Sequence, residues 1–325
     1  MKPNVLAISF LFPNASNAGY GVFVLNRLKA VQDFCKVKVI APVQWYPFIN
    51  RIKGTCGEAQ IPEQETIDGL ETFHPRFAVI PRYLKWIDSL TYLWAAARTA
   101  AKLRKRSSFE FDLVDVHWTY PDLLAGYWLA RRNGKKYIVT IRGHEAFSDE
   151  EWSIRRWIVA TLIRKADYIV ALSAELRDKA LRLGARPDAV RVVLNGVDLQ
   201  RFRYLPQDEC RQRLGLTKEG KILLCVGRLT ERKGHHELIR MLPELKGDHS
   251  VALFLIGGVN REENYGPALE RLIAGLKLTN VHIIDRVPHT DLLYWYGAAD
   301  LFCLATASEG SPNVIMEALA CGLPV

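Results

Sequence analysis

The chain has no run of eighteen apolar residues, which excludes a membrane-spanning helix of ordinary length. It has no C-x-x-C pair. Its six cysteines (Cys35, Cys56, Cys210, Cys225, Cys303 and Cys321) are scattered, and Cys225 and Cys303 fall inside apolar, strand-like runs. They read as reduced thiols packed as small hydrophobes, the pattern of a cytoplasmic protein. No group of His and Cys has metal-ligand spacing, so no metal is expected. Internal repeats, low-complexity stretches and recognised nucleic-acid motifs are also missing, and no nucleic-acid partner is expected. The opening run Val5–Phe10 is too short for a secretory leader and is followed by Pro13 and Asn14, with no small-residue cleavage site. It reads as a buried first strand.

What is present is an alternation. Apolar runs at Val5–Phe10, Val37–Ala41, Leu113–His117, Tyr137–Ile141, Tyr168–Leu172 and Val190–Leu194 read as strands. Helical patterns lie between many of them, at Phe23–Phe34, Leu123–Arg132, Trp152–Lys165 and Glu175–Leu183. After a polar stretch, Arg201–Thr217, the pattern restarts with strands at Ile222–Val226, Val251–Ile256, Val281–Ile284 and Leu301–Leu304. Helices fit His235–Leu245, Gly266–Leu276 and Asp291–Gly297. Such alternation predicts parallel sheets covered on both faces, with ligands at the carboxyl ends of the strands. The expected fold is α/β: two Rossmann-like domains, residues 1–205 and 206–325, facing a cleft. Leu323-Pro324-Val325 reads as a strand just beginning, so the second domain is expected to be incomplete.

Charge is unevenly spread. Residues 1–205 hold 31 Lys+Arg and 20 Asp+Glu, a balance of +11; residues 206–325 hold 13 and 15, a balance of −2. The first half therefore carries the whole basic excess, which suits an anionic membrane surface or a lipid-phosphate acceptor. Within it, Tyr83–Arg106 reads aromatic and then basic, with Trp86, Tyr92 and Trp94 ahead of Lys102, Arg104, Lys105 and Arg106. That order fits a helix lying on a membrane; an ordinary surface helix with a solvated end fits it too.

Near the carboxyl end stand two glutamates, Glu309 and Glu317, in the segment Ser308–Ala318. The residues between them have the grammar of a helix start. Ser311 suits the N-cap, Pro312 the first helical position, and Gly322 with Pro324 the stop, giving a helix over Pro312–Cys321. Free backbone N–H groups at its start favour an anion. Carboxylates accept hydrogen bonds only and so partner vicinal hydroxyls. A phosphate at a helix start beside hydroxyls on two carboxylates describes a sugar nucleotide. In the same domain, Gly227 follows an apolar strand and is flanked by Arg228 and Lys233, then Gly234. Two fixed cations suit a pyrophosphate leaving group, although solvent-facing charges would look the same in isolation.

These elements together resemble glycosyltransferase family 4, the retaining, nucleotide-sugar-dependent enzymes with the GT-B fold. The resemblance rests on Asn195-Gly196-Val197-Asp198 with Phe202, on Val226-Gly227-Arg228 with Lys233-Gly234, and on Ile256-Gly257-Gly258. It rests most on Ala298-Ala299-Asp300, Ser308-Glu309-Gly310 and Glu317–Val325. It implies that Arg228 and Lys233 bind the donor diphosphate and that Glu317 accepts from the ribose hydroxyls. Glu309 would contact the transferred sugar, and backbone around Ser311, Pro312, Asn313 and Val314 would hold sugar or phosphate. In the first domain Gly19 and Gly21 resemble the family's glycine loop beside the diphosphate and acceptor. Thr140–Glu145 occupies the place of its H-G-x-D/E element, with a departure: Arg142 stands where histidine is commoner, and His144 follows two residues later. Arg142 can stabilise charge but cannot shuttle protons; for His144 three readings stand open: a catalytic substitute for the family histidine, an acceptor contact, or plain packing. Glu145, Arg142 and His117 are candidate acceptor contacts.

The resemblance implies transfer of a sugar from a UDP- or GDP-linked donor to a glycan or lipid-linked saccharide, without a metal or other cofactor. The expected setting is cell-surface polysaccharide synthesis, cytoplasmic and at the inner face of the membrane. A non-hydrolysing sugar-nucleotide epimerase and a catalytically incompetent nucleotide-sugar-binding fragment are the alternatives.

Overall fold

The computed structural model describes residues 2–46, 61–79, 86–143, 154–245, 250–258, 264–307 and 309–325. The chain divides into two compact units, Met1–Asn195 and Gly196–Val325.

The first unit is built on an eight-stranded sheet in the order β10-β9-β8-β7-β1-β2-β5-β4. Its strands are β1 (Asn4–Ile8), β2 (Lys36–Ile40), β4 (Gln64–Ile67), β5 (Leu70–Phe73), β7 (Leu113–Val116), β8 (Lys136–Ile141), β9 (Tyr168–Ala171) and β10 (Val190–Val192). All neighbours pair in parallel except β4 with β5. The central strands are apolar on both faces because both faces are covered. Leu6 and Ile8 of β1 enter a core packed by the helices Ile87–Ser107, Asp122–Arg132, Ile154–Ile163 and Ala174–Arg182. Val5 and Ala7 enter a second core under the helix Val22–Gln32. A short parallel pair, β3 (Val43–Trp45) with β6 (Arg76–Ala78), lies beside the sheet.

The second unit holds a four-stranded parallel sheet, β13-β12-β11-β14, from β11 (Lys221–Val226), β12 (Val251–Ile256), β13 (Val281–Ile284) and β14 (Leu301–Phe302). The same division recurs. Ile222, Leu224 and Val226 face one core, Leu223 and Cys225 the other. Asp300, from the Ala-Ala-Asp motif, fixes the start of β14. It accepts from the Ile222 N–H at 2.8 Å, from Arg211 at 2.7 Å and from Lys221 at 3.0 Å. Partial burial opposes its ionisation, but those donors and charges outweigh burial and hold its carboxyl below the usual carboxylate value.

Two sequence expectations change. The hairpin of β4 and β5 went unrecognised as strands because its residues are mostly polar. Its signal was Asp68-Gly69, both at positive φ (46° and 82°), the pair that suits a tight hairpin turn. The last helix spans Asn313–Ala320, with Pro312 as N-cap at ψ 107° and no side-chain cap. Ser311 is therefore not the N-cap. The residue before a proline is held extended, which places the serine one residue too early to reach the first free N–H groups.

Asp122 ties the first unit's site loop to the sheet. Its fully buried carboxylate faces the Phe10 N–H at 2.9 and 3.1 Å. Burial pushes its pKa up to about 8, against the partial opposition of that N–H. The folded value lies above the unfolded value, so this group's contribution to stability is complete below pH 4 and lost as pH rises through about 8. Asp122→Asn keeps a carbonyl acceptor and removes the ionisation. Its stability relative to wild type should rise between pH 5 and pH 8.5, by at most about 1.4 kcal/mol per pH unit. Urea titrations at the two pH values measure this, and an unchanged difference would refute it.

Candidate active site

In the second unit the loops after β11, β12 and β14 converge because two glycines let backbone approach backbone. A Cβ on Gly257 would lie 1.8 Å from the Gly227 carbonyl oxygen, and one on Gly234 would lie 1.9 Å from that of Ala305. Gly234 also sits at φ 68°, in the left-handed region. The second approach seats the Glu231–Gly234 turn against the segment after β14, where the Ala307 N–H donates to the Arg232 carbonyl at 3.0 Å. The stem of Lys233 runs over Gly227, its Cδ 3.6 Å from where a Cβ would be.

Lys233 and Glu309, far apart in sequence, therefore form an ion pair through Nζ and Oε1. The same oxygen accepts from the Thr306 hydroxyl at 3.1 Å and lies 3.5 Å from the Arg232 guanidinium. Side-chain exposure is 13% for Lys233 and 18% for Glu309, so the pair is poorly screened. Arg228 is exposed, with its backbone fixed from beneath. His235 is fully buried and donates from Nε2 to the Arg228 carbonyl at 3.1 Å; its Nδ1 lies 3.4 Å from the Cys225 sulfur. Burial lowers the His235 pKa, which keeps this ring neutral.

At the other end of this site, Glu317 is buried in the Asn313–Ala320 helix. Its Oε2 accepts from the Tyr296 hydroxyl at 2.8 Å and its Oε1 from His289 Nε2 at 3.3 Å. Burial, then Glu317, raises the Tyr296 pKa well above its ordinary value, so the phenol stays a donor. Asn313 and Val314 are half-buried in the first turn, and Ser311 and Pro312 precede them.

In the first unit the candidate residues cluster at the carboxyl ends of β1, β7 and β8. Gly21 is at φ 69°, and a Cβ there would lie 2.4 Å from the Leu11 carbonyl oxygen, so only glycine fits this loop. A Cβ on Gly19 would meet only the Asn17 side-chain oxygen, at 3.7 Å, an ordinary contact. Arg142 is buried and lies over the Phe23 ring at 5.1 Å, which joins the glycine loop to the end of β8. It donates to His117 Nδ1 at 3.0 Å and to the Asn195 side-chain oxygen at 3.4 Å. A guanidinium only donates, so Nδ1 is an acceptor and the His117 proton sits on Nε2, 3.2 Å from Asp115 Oδ2. Burial lowers the His117 pKa despite Asp115, consistent with a neutral ring. Burial opposes ionisation of Asp115, yet His117, Arg27 and Arg142 hold its carboxyl below the usual value. Burial and then Arg27 lower Arg142 to about 9, which leaves it charged at neutral pH. His144 and Glu145 lie outside the described residues. Beside the glycine loop a cavity of about 300 Å³ is lined by Phe10, Phe12, Asn14, Tyr20, Gln44 and His74.

The structure thus brings Lys233 to Glu309 and Arg142 to His117. It adds Asp115, Arg232, His289, Tyr296 and Thr306, which no local motif marked. Arg232 lies within the Arg228–Lys233 loop, and Thr306 and Tyr296 stand two residues ahead of Ser308-Glu309-Gly310 and Ala298-Ala299-Asp300, but nothing in those stretches singles them out.

Comparison with known proteins identifies the family and the fold. The family model "Glycosyltransferase Family 4" matches residues 23–201, and "Glycosyl transferases group 1" matches residues 206–325. The chain is similar to TuaC of Bacillus subtilis (strain 168), named as a teichuronic acid biosynthesis glycosyltransferase. They are 27% identical over 99% of this chain and 79% of that protein. It is 32% identical to the D-inositol 3-phosphate glycosyltransferase of Frankia alni over 71% of this chain, spanning 61% of that relative. Among solved structures, sucrose-phosphate synthase of Thermosynechococcus elongatus superposes with a TM-score of 0.77 at 19% identity, over 99% of this chain and 80% of that one. Anabaena HepE in complex with UDP and glucose gives 0.69 at 21% identity, over 99% of this chain and 80% of that one. From the match to residues 23–201, more than half its length, the chain belongs to glycosyltransferase family 4, and its fold is GT-B.

Proposed function

We propose that this protein transfers a sugar, with retention at the anomeric carbon, from a UDP- or GDP-linked donor to a glycan or lipid-linked saccharide of the cell surface. The observation that carries this reading is the Lys233–Glu309 pair at the carboxyl end of the second unit's sheet. It holds a cation for a diphosphate and a carboxylate for sugar hydroxyls within one hydrogen bond of each other. Relatives named for polysaccharide and glycolipid synthesis support the acceptor class.

In this reading Lys233 and the exposed Arg228 take the donor diphosphate, while N–H groups at Asn313 and Val314 meet sugar or phosphate charge. Donor binding draws Lys233 away from Glu309 and frees that carboxylate for the sugar. Glu317 accepts from the ribose hydroxyls. Gly227 lets the donor lie close to the backbone. The acceptor hydroxyl attacks from the face that the phosphate leaves, and the departing phosphate takes its proton. Positive charge near the leaving oxygen is therefore the main contribution to rate. The first unit supplies acceptor contacts from Arg142 and His117, joined by Glu145 and His144. Arg142 is a fixed charge there. The cavity beside the glycine loop pairs aromatic rings with side-chain amides, a lining that suits a saccharide.

The same reading includes contact with the inner face of the membrane. The helix Ile87–Ser107 exposes Leu90 and Trp94, with Arg98 over the Trp94 ring at 5.3 Å and Arg104, Lys105 and Arg106 in its last turn. Aromatic groups at the headgroup level and cations above them are the features of a surface-bound helix.

Incubation with UDP-, GDP- and ADP-sugars, with and without lipid-linked acceptors, tests the activity. Nucleotide release should depend on acceptor; an isomerised donor without acceptor would instead identify an epimerase. Lys233→Ala should lower kcat about a hundredfold to a thousandfold. Glu317→Ala should mainly raise the donor Kd, about tenfold. Wild-type kinetics in both variants would overturn the site. Arg142→Lys keeps the charge but not the planar fork that spans His117 and Asn195, and should cost about tenfold in kcat/KM. Co-sedimentation with vesicles containing phosphatidylglycerol should fall in a Trp94→Ala, Arg98→Ala double variant and with added salt. Equal binding by both proteins would remove the membrane contact.

A further inference from the structure

We propose that Phe202, His289 and Tyr296 are positioning residues for Glu317, so that the Asp198–Phe202 turn acts on nucleotide binding without touching the nucleotide. The proposal rests on the reading of Glu317 as the ribose-binding carboxylate.

Glu317 has two oxygens, each able to accept two hydrogen bonds. Tyr296 occupies one position on Oε2 and His289 one on Oε1. A carboxylate only accepts, so the His289 Nε2 carries the proton. One position remains on each oxygen, in the plane of the carboxylate, and that pair matches two vicinal hydroxyls. The two donors therefore set the plane in which a ribose must lie. They also compensate a charge that is 7% exposed and would otherwise be costly to bury.

Neither donor is rigid by itself, and one ring holds both. Phe202 is 2% exposed and meets His289 edge-on at 5.4 Å and 82°, and Tyr296 at 5.9 Å and 71°. Edge-to-face contacts of this kind fix ring orientation. Phe202 is itself placed by a turn. Its N–H donates to the Asp198 carbonyl at 2.8 Å, while Asp198 Oδ1 accepts from the N–H groups of Gln200 at 2.9 Å and Arg201 at 3.2 Å. A continuous chain of contacts thus runs from Asp198 through Phe202 to His289 and Tyr296, and from them to Glu317. It links an aspartate and a phenylalanine four residues apart to a glutamate more than a hundred residues away.

The test compares binding of UDP with 2′,3′-dideoxy-UDP, and of GDP with its dideoxy analogue, by calorimetry on the full chain. Wild type should prefer the ribose form of the nucleotide that binds more tightly by about tenfold or more. Glu317→Gln should abolish the preference. Tyr296→Phe, Phe202→Leu and His289→Ala should each cut it to about threefold or less, with kcat less affected than donor KM. If Glu317→Gln loses the preference but Tyr296→Phe and Phe202→Leu keep it, the positioning role is wrong and the ribose role of Glu317 stands. If Glu317→Gln keeps it, or no nucleotide binds, the ribose role fails and the proposal with it. A purely structural role would lower the thermal midpoint and leave the preference intact, which also overturns the proposal.

Discussion

The second unit's site depends on backbone passing backbone at distances that admit no side chain. Gly257 lies under the Gly227 carbonyl and Gly234 under that of Ala305. With any larger residue the loops would separate by more than an ångström, and a salt bridge across them would be the first casualty. Parallel strands end side by side, so their following loops compete for the same space. Glycine at the points of crossing resolves that competition and leaves room above for a ligand. The left-handed φ at Gly234 then turns Lys233 inward rather than out to solvent.

Much of this fold was legible in the sequence because a parallel sheet covered on both faces imposes an unmistakable pattern. Strands such as Leu223-Leu224-Cys225-Val226 are apolar throughout, since alternate residues feed different cores. The β4–β5 hairpin was illegible by the same criterion. At the sheet edge Gln64 and Thr66 face water, and only the Asp68-Gly69 turn betrays pairing. The start of the last helix failed for a local reason, the conformation that Pro312 imposes on Ser311.

The site divides along similar lines. Gly227, Lys233, Glu309 and Glu317 lie in compact motifs whose spacing follows from a strand, a turn and a helix. Asp115, His289, Tyr296 and Thr306 do not, because what makes them matter is a neighbour brought in by the sheet. Asp115 looks like an ordinary residue in β7 until Arg142 arrives from β8 through His117. Arg142 itself shows how one substitution changes meaning in context. A buried guanidinium needs a counter-charge, and here it reaches one through a neutral imidazole rather than by direct pairing. His117 consequently has its tautomer fixed by its neighbours, which removes it from proton exchange.

The Lys233–Glu309 bond makes the resting site its own competitor. A carboxylate carried on the same chain acts at an effective concentration on the order of millimolar or more. Any anion approaching Lys233 must compete with that tethered carboxylate. In the proposed reading, a diphosphate that carries sugar and nucleoside makes several contacts at once and can displace the tether. The ion pair thus sets a threshold that a ligand with a single contact meets less readily than a multidentate one.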